Sequence, residues 1–500
     1  MEQTTTPRPE AVVLKPAVKR CERNGPTVSE KFANRPIRIA IVGAGPAGVY
    51  ASDILAKAQK KHDLTFSIDL LDRYPAPFGL IRYGVAPDHP RIKGIIQALH
   101  KVMDRGDVRL LGNVEIGSDL TLGDLRRHYD AVIFATGAIK DASMEIPGNQ
   151  LQGSFGAAEF VSWYDGHPDF PREWPLEAEQ IAVIGNGNVA LDVARVLSKH
   201  ADDLLSTEIP DNVYAELKAS PATDVRVFGR RGPAQVKFTP LELRELSHSK
   251  DVDIVLSEED FEFDEASDEA IKSDNQIKTM VNTLTNWLVE QEERTEESSK
   301  RLHPHFLHQP VEILEGKHDD GTGTGKVAGI RFERMELDGT GNVTGTGEHI
   351  DYQVQAVYRA VGYYGTSVEG VPFDERRGVI TNEAGRVLDE NDQHIPGTYA
   401  TGWIKRGPVG LIGHTKGDAR ETISCLLEDI EQLPVAEDPQ ESAVTELLES
   451  RGVQYTTWDG WLKLDEYEMQ LGQQATESGP VERERVKVVA REDMVRRSRA

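Results

Sequence analysis

Two stretches of the chain share one arrangement of apolar and polar positions. In the first, an apolar run over 37–42 is followed by a glycine-rich turn, a helix-length segment from about 47 to 60 and a second apolar run over 64–72. In the second, residues 180–199 repeat the run, the turn and the helix-length segment, and another apolar run follows within 223–233. This order predicts a strand, a helix and a parallel strand in each stretch.

The same strand ending occurs on both sides of the second stretch. YDAVIFATGA (129–138) and HIPGTYATGWI (394–404) each run from a strand into Ala-Thr-Gly. A chain that leaves one domain and later returns to it would bracket the inserted domain in this way. We therefore predict an α/β fold with two Rossmann-like, three-layer dinucleotide-binding domains, the second inserted into the first.

These patterns divide the chain into five parts. The first domain is predicted over 36–142 and again over 355–435, and the second domain over 143–354. A lead over 1–35 is predicted to be disordered. A polar tail over 436–500 is predicted to be helical, and one of its helices, in SAVTELLESRG, ends at a glycine. We assign no chemistry to this tail.

Length and cysteine usage limit the chemistry. A chain of 500 residues is too long for one compact core, and no apolar run approaches the ~20 residues that span a bilayer. The only cysteines are Cys21 and Cys425, which indicates a reducing, cytoplasmic setting. Two cysteines cannot hold a four-cysteine iron–sulfur cluster, and they form no Cys-x-x-Cys pair. We expect any redox chemistry on an organic cofactor, and we predict no metal site.

The charge of the chain argues against one class of partner. The formal net charge is −26, and so strong an excess of acids disfavours nonspecific nucleic-acid binding. The excess is uneven, because residues 251–300 hold 16 acidic and 4 basic side chains. We interpret this stretch as a solvated acidic insertion in the second domain.

The first glycine-rich turn, GAGPAG (43–48), has the spacing of a dinucleotide cradle. Gly43 would allow the tight turn, Gly45 the approach of a pyrophosphate, and Gly48 the close packing of the helix that begins near Ala47. Asp72 ends the next strand, where a carboxylate accepts a hydrogen bond from a ribose hydroxyl. A chance glycine turn is the weaker alternative.

The second turn, GNGNVA (185–190), repeats the device with alanine in the third glycine position. Its candidate binding residues are Asn186, Gly187, Asn188 and Val189. Here the next strand ends in Arg230 and Arg231 instead of an acid. Paired guanidinium groups bind a 2′-phosphate, which favours NADP over NAD. Two surface arginines that cap a turn are the alternative.

The first cradle then needs a different nucleotide, and FAD suits a strand that ends in aspartate. The segment TGWIKRGPVGLIGHTKGDARETI (401–423) is a second glycine-rich entry to a helix. The backbone N–H groups of Gly410, Leu411 and Ile412 would face an electron-rich ring oxygen at the positive end of that helix. Trp403, just before them, is a candidate planar neighbour of the ring.

With these residues together, the chain resembles the adrenodoxin-reductase-type ferredoxin–NADP⁺ reductases, in particular the bacterial members, over residues 36–435. The strings that carry the resemblance are VGAGPAGVYASDIL, YPAPFGLIRYGVAPDHP, GNGNVALDVAR, GRRGPAQVKFTPLELREL, HPHFLHQPVEIL and GWIKRGPVGLIGHTKGDA. The resemblance implies FAD contacts at Ala47, Asp72, Leu80, Ile116, Trp403 and Gly410–Ile412. It implies NADP contacts at Asn186–Val189, Arg230, Arg231, Glu242 and again Gly410. Without it, Glu242 would be read as a helix-surface acid.

The resemblance also implies an activity: NADPH passes a hydride to FAD, and electrons then leave singly to a ferredoxin or similar iron–sulfur carrier. Two alternatives stay open, namely a flavin subunit that feeds electrons into a larger complex and a nonenzymatic NADP-binding protein. We expect a monomer. His89 and Glu245 are candidate proton handlers near the flavin, but a lone histidine in a proline-rich turn is more often structural, so we assign no catalytic residue. The basic candidates for docking an acidic carrier are Lys237, Arg244, Lys405 and Arg406.

Overall fold

A computed structural model describes residues 30–500 except 33 and 411, so most of the predicted lead lies outside the described residues. The strands are β1 Ile37–Val42, β2 Phe66–Asp72, β3 Val108–Gly112, β4 Ala131–Phe134, β5 Lys140–Asp141, β6 Ser154–Gly156, β7 Gln180–Ile184, β8 Asp224–Phe228, β9 Val252–Ile254, β10 Lys300–His305, β11 His308–Lys317, β12 Gly323–Leu337, β13 Val343–Tyr352, β14 Ala356–Arg359, β15 Tyr363–Tyr364, β16 Phe373–Asp374, β17 Val379–Ile380, β18 Asn382–Glu383, β19 Arg386–Leu388 and β20 His394–Ala400.

The helices are α1 Pro46–His62, α2 Leu80–Tyr83, α3 Pro90–Lys93, α4 Ile96–Met103, α5 Leu122–His128, α6 Ala157–Tyr164, α7 Asn188–Ser198, α8 Asp211–Ala219, α9 Pro240–Leu246, α10 Glu265–Ser273, α11 Asn275–Glu292, α12 Trp403–Arg406, α13 Ile412–Glu428, α14 Glu441–Ser450, α15 Trp458–Ser478 and α16 Arg491–Arg499. Short 3₁₀ turns add to these. In the part of the chain that the structure describes, no helix is both long and apolar enough to cross a bilayer.

Each predicted unit forms the centre of its own sheet. The first sheet has the order β18-β19-β20-β4-β1-β2-β3, and the second has the order β6-β14-β7-β8-β10-β9. β1 pairs in parallel with β2 and β4, and β7 pairs in parallel with β8 and β14. All six residues of β1 are buried, as expected for a parallel strand covered on both faces. β11, β12 and β13 form a separate antiparallel sheet.

The second domain is inserted into the first. The chain leaves the first sheet after β4 and returns to it at β18, and β20 pairs in parallel with β4. The outgoing and returning strands, β5 and β15, pair with each other, with Tyr363 opposite Asp141. The predicted α/β class with an inserted Rossmann-like domain is therefore confirmed.

The acidic stretch 251–300 contributes a strand and helices to the second domain, and most of its acids are exposed, in line with its interpretation as solvated. Its first residues form β9, which pairs in parallel with β10. Met280, Val281 and Leu284 of α11 are buried. Most acids lie on the outer faces of these elements, with Asp260 buried as an exception, while the inner face of α11 supplies apolar packing.

The tail packs on the first domain. Trp461 and Leu464 of α15 and Met494 of α16 are buried in the same apolar core as Ile39 of β1. α14 ends at Ser450, and the predicted terminating glycine, Gly452, follows with a positive φ of 74°. The polar composition of the tail therefore conceals a buried apolar face.

Candidate functional site: a cleft shared by two nucleotide-binding turns

A cavity of about 320 Å³ opens at the carboxyl ends of the first sheet's strands. Val42 at the end of β1, Asp72 at the end of β2 and Ala135 just after β4 line it. β2 lies on one side of β1 and β4 on the other, so the cavity is at the point where the strand order reverses. Nucleotides bind at this position in open α/β sheets.

The first glycine turn forms the floor of this cavity. Gly43 has a φ of +113°, and a Cβ at Gly48 would lie 1.9 Å from the carbonyl oxygen of Gly43. Only glycine therefore fits at the position where α1 packs on the turn. A Cβ at Gly45 would find nothing nearer than the Cα of Gly79, at 3.8 Å. A Cβ at Gly79 would lie only 3.0 Å from the Cα of Gly45, so the two glycines pack closely, and both line the cavity without side chains.

Asp72 is buried where β2 ends. One of its carboxylate oxygens accepts a hydrogen bond from the backbone N–H of Ala44, and the other accepts one from Tyr74 at 2.9 Å. Burial raises the pKa of Asp72 to about 6, although these two hydrogen bonds oppose the shift. Each oxygen has accepting capacity left, so Asp72 ties the glycine turn to β2 and can still accept from a ribose hydroxyl.

The walls of the cavity contain the remaining residues predicted for the first nucleotide. Ala47, Leu80, Ile116 and Trp403 all line it. Trp403 lies 6.4 Å from Tyr363, measured between ring centroids, with 34° between the ring planes.

Sequence reasoning missed several other lining residues. Among them are Tyr74, Tyr83, His167, Tyr363 and Thr415. Tyr74, Tyr83 and Thr415 lie in strings that carry the resemblance but were not singled out, whereas His167 and Tyr363 come from segments without a motif. Their positions depend on tertiary packing.

The second glycine turn reaches the same cavity. Val189, in the first turn of α7, lines it together with Ala158, Val161 and Ser162 of α6. Gly187, just before α7, has open space where a Cβ would be. The side chain of Asn188 accepts a hydrogen bond from the backbone N–H of Thr239 at 3.0 Å, and the carbonyl of Asn186 accepts one from Lys237. The turn is therefore held open by the loop that follows β8.

The arginine pair lies beside this turn. Ile184 at the end of β7 is in register with Phe228 at the end of β8, so Gly185–Gly187 and Gly229–Arg231 are neighbours at one sheet edge. Arg230 is exposed and Arg231 is half-buried. Among the described residues neither guanidinium has a side-chain hydrogen bond or ion pair. Neither arginine lines the central cavity.

Glu242 on α9 is buried, so it is not a helix-surface acid. One of its carboxyl oxygens, Oε2, has no hydrogen-bond partner among the described residues. Burial raises the pKa of Glu242, and the nearby charge of Asp192 adds to the shift. A buried oxygen of this kind suits a polar ligand group.

The return segment is only partly described. Gly402, with a φ of +76°, would place a Cβ 2.6 Å from the Cβ of Ala47, so this segment packs directly on the start of α1. Gly410 has a φ of +88° and lies beside the side chains of Arg406 and His414. Leu411 is outside the described residues, and α13 begins at Ile412.

His89 lies between the two domains rather than on the cavity wall. Its Nε2 is 3.1 Å from Oδ1 of Asp192 on α7, and Arg195 on the same helix binds Asp88. Burial disfavours the charged form of His89, but the hydrogen bond and charge of Asp192 outweigh burial and raise its pKa. Glu245 is half-buried on α9, with His248 nearby.

One surface expectation changes in the structure. Lys405 is buried, and its ammonium binds Glu421 at 2.5 Å and Asp418 at 3.0 Å. It is therefore not available for docking a partner.

One His and Asp group, formed by Asp260, His305 and His308, has the spacing of metal ligands. Arg334 binds the carboxylate of Asp260, so that oxygen is already paired with a cation.

Comparisons with known proteins cover most of the chain. Residues 37–405 match the family model described as pyridine nucleotide-disulphide oxidoreductase. The chain is 38% identical to the mitochondrial NADPH:adrenodoxin oxidoreductase of Arabidopsis thaliana over 88% of its own length and 92% of that protein. It is 38% identical to the NADPH-ferredoxin reductase FprA of Mycobacterium tuberculosis over 92% of its own length and 99% of that protein. A solved structure, M. tuberculosis FprA in complex with NADPH, aligns with a TM-score of 0.82 at 36% identity, over 93% of this chain and 100% of that chain.

Proposed function

Because the chain belongs to the adrenodoxin-reductase-type ferredoxin–NADP⁺ reductases, within the pyridine nucleotide-disulphide oxidoreductase family, we propose that it carries electrons from NADPH through FAD to a ferredoxin-type iron–sulfur protein. The relatives are named as NADPH-dependent reductases of adrenodoxin and ferredoxin. The two cradles and the cavity that they share each fit a part of this activity.

The first cradle fits FAD. Gly45 and Gly79 line the cavity without side chains that would keep a pyrophosphate away from the backbone, and the N-terminus of α1 directs its backbone N–H groups there. Asp72 is placed to accept from the ribose, and Trp403 and Tyr363 offer apolar walls for a ring system. When bound, FAD supplies the redox chemistry, because it takes up two electrons from a hydride and releases them one at a time.

The second cradle fits NADPH. Gly187 leaves space in front of α7, and Arg230 and Arg231 at the neighbouring strand end are cations without a protein partner among the described residues. The 2′-phosphate of NADPH would accept charge-assisted hydrogen bonds from these two guanidinium groups. Glu242 offers its free oxygen to another polar group of the same ligand.

One observation carries the proposal: the two cradles open into a single cavity. Val189 of the second turn lines the same space as Gly45 and Trp403 of the first domain. Hydride transfer requires the two rings to be in contact, and holding both nucleotides in one cleft provides that proximity. The protein's part is to bind, orient and exclude water, and the largely apolar walls serve that purpose.

The iron–sulfur partner is expected to dock through a local basic surface, since the chain as a whole carries −26. Arg244 on α9 and Lys237 in the loop before it are exposed, and both follow the arginine pair in sequence. An acidic carrier would be guided to them by charge. A cytoplasmic monomer completes the proposal, and cell fractionation and size-exclusion chromatography test those two points.

Two other functions are less well supported. An electron-input subunit that holds its own clusters needs cysteines, and Cys21 and Cys425 are the only two. Disulfide reduction needs a dithiol pair to supply the attacking thiolate. These two cysteines form no such pair, and Cys425 is buried. A nonenzymatic NADP-binding protein would leave the first cradle unused, although Gly45, Asp72 and Gly79 line a cavity of about 320 Å³ there.

Anaerobic spectroscopy of the purified protein tests the proposal directly. We expect a yellow protein that is bleached by stoichiometric NADPH and recovers its colour when an oxidised ferredoxin is added. Ferredoxins of different charge identify the preferred acceptor. A colourless protein that binds NADPH but takes up no FAD would contradict the proposal and favour the nonenzymatic alternative.

A further inference from the structure

His167 is a residue of the second domain that lies on the wall of the first nucleotide's cleft. It follows α6, is only 1% exposed, and lines the cavity with Ser162 of that helix. Its ring makes edge contacts with Tyr74 and Tyr83, at centroid distances of 4.5 and 5.0 Å. The imidazole is therefore held in a fixed orientation between the two domains.

The hydrogen bonds of this ring define its tautomer. Nδ1 accepts a hydrogen bond from the backbone N–H of Asp169 at 3.2 Å, so in the neutral ring the proton is on Nε2. Burial lowers the pKa of His167 to about 3, and nearby arginines add to the shift against the opposing charge of Asp169. The ring is therefore a neutral donor throughout the range in which the protein would work. Yet among the described residues Nε2 has no hydrogen-bond partner.

We propose that Nε2–H of His167 donates a hydrogen bond to an oxygen of the FAD bound in the first cradle. A buried donor is rarely left without an acceptor, and His167 is one of the residues that line the cavity in which we propose FAD to bind. The inserted NADP domain thereby supplies part of the FAD site, and FAD binding links the two domains. This inference rests on the proposed function.

The test measures how tightly FAD is held by wild type and by the variants His167→Leu and His167→Gln. Each holoprotein is diluted stepwise, and the fluorescence of released FAD gives the dissociation constant. Loss of one hydrogen bond from a buried site weakens binding by about ten-fold, which is the expected effect of His167→Leu. Gln keeps an N–H donor near the position of Nε2, and we expect it to restore most of the affinity.

The control is His128→Leu. His128 is also a buried histidine with a hydrogen bond through Nδ1, to the carbonyl of Asp438 at 2.9 Å, but it does not line the cavity. We expect this variant to leave FAD affinity unchanged. Because His167 is neutral, the ratio of the wild-type and His167→Leu dissociation constants should be constant between about pH 6 and 9.

The possible outcomes distinguish a failure of the His167 hydrogen bond from a failure of the proposed reductase function. Wild-type affinity in His167→Leu, or equal weakening in His167→Leu and His167→Gln, would overturn the hydrogen bond while leaving the reductase proposal intact. If His167→Leu does not fold, His167→Gln still decides, because a weakening of ten-fold or more in that variant would also overturn the donor role. A wild-type protein that takes up no FAD would instead contradict the proposed function itself.

Discussion

A buried ion pair joins the tail to the wall of the cleft. Arg82 is in α2, between the cavity-lining residues Ile81 and Tyr83, and Glu468 is in α15. The guanidinium donates to both carboxylate oxygens, at 3.0 and 2.5 Å, and the side chains are 3% and 0% exposed. Glu468 also accepts from the backbone N–H of Val488 at 2.9 Å. Despite its burial, the pKa of Arg82 is raised well above its usual value by this carboxylate.

Replacing Glu468 leaves Arg82 as an unpaired buried charge, and replacing Arg82 leaves the buried Glu468 with only Arg485, whose Nη1 is 3.8 Å away. Removing one member of a buried pair costs about 3–5 kcal/mol, whereas replacing both with apolar residues of similar volume is often nearly neutral. We expect Arg82→Met and Glu468→Met each to lower the free energy of unfolding by about that amount. We expect the double variant to lose much less than the sum of the two.

Urea unfolding of the holoproteins, followed by tryptophan fluorescence, measures these changes. Arg451→Met is the matched control, since Arg451 also makes two hydrogen bonds to one carboxylate, that of Asp124, and also joins the tail to the first domain. That pair is partly exposed, at 37% and 19%, so its loss should cost at most about 1 kcal/mol. The reasoning fails if Arg82→Met costs no more than Arg451→Met, or if the two methionine substitutions are additive.

Three further predictions concern the nucleotides and the partner. Replacing Arg230 and Arg231 with alanine should raise the KM for NADPH by roughly tens- to hundreds-fold through the loss of charged hydrogen bonds, with little change for NADH; equal effects on both would contradict the 2′-phosphate role. Ferredoxin reduction should slow as ionic strength rises and should depend less on salt in Arg244→Ala, because salt screens docking charges; a rate that is flat across salt would refute charge-guided docking. Because the pKa of Asp72 is raised from 3.8 to about 6 in the folded protein, its protonated form contributes stability that is present below about pH 4 and lost as the pH rises through about 6. The unfolding free energy of apoprotein should therefore fall over this window relative to Asp72→Asn, and a difference that is constant with pH would show that Asp72 has an ordinary pKa.

Local sequence signals were sufficient for the two cradles. The spacing of Gly43, Gly45 and Gly48 between an apolar run and a helix reflects short-range constraints, because a tight turn and a close helix contact each depend on a few neighbouring residues. The α/β class and the insertion followed from the same kind of signal, since the repeated Ala-Thr-Gly endings marked where the chain leaves and rejoins one sheet. The arginine pair could be read as a candidate phosphate site because it replaces an acid at one strand end.

Only the tertiary structure decided which residues meet across the domains. Val189 reaches the first cleft and His167 forms part of its wall because α6 and α7 pack against it, and nothing in their local sequence indicates this. Lys405 looked like a surface cation until its pairing with Asp418 and Glu421 was visible. Arg82 and Glu468 are 386 positions apart in sequence. Turn geometry depends on neighbouring residues, whereas burial, ion pairing and pKa depend on which distant segments the fold brings together.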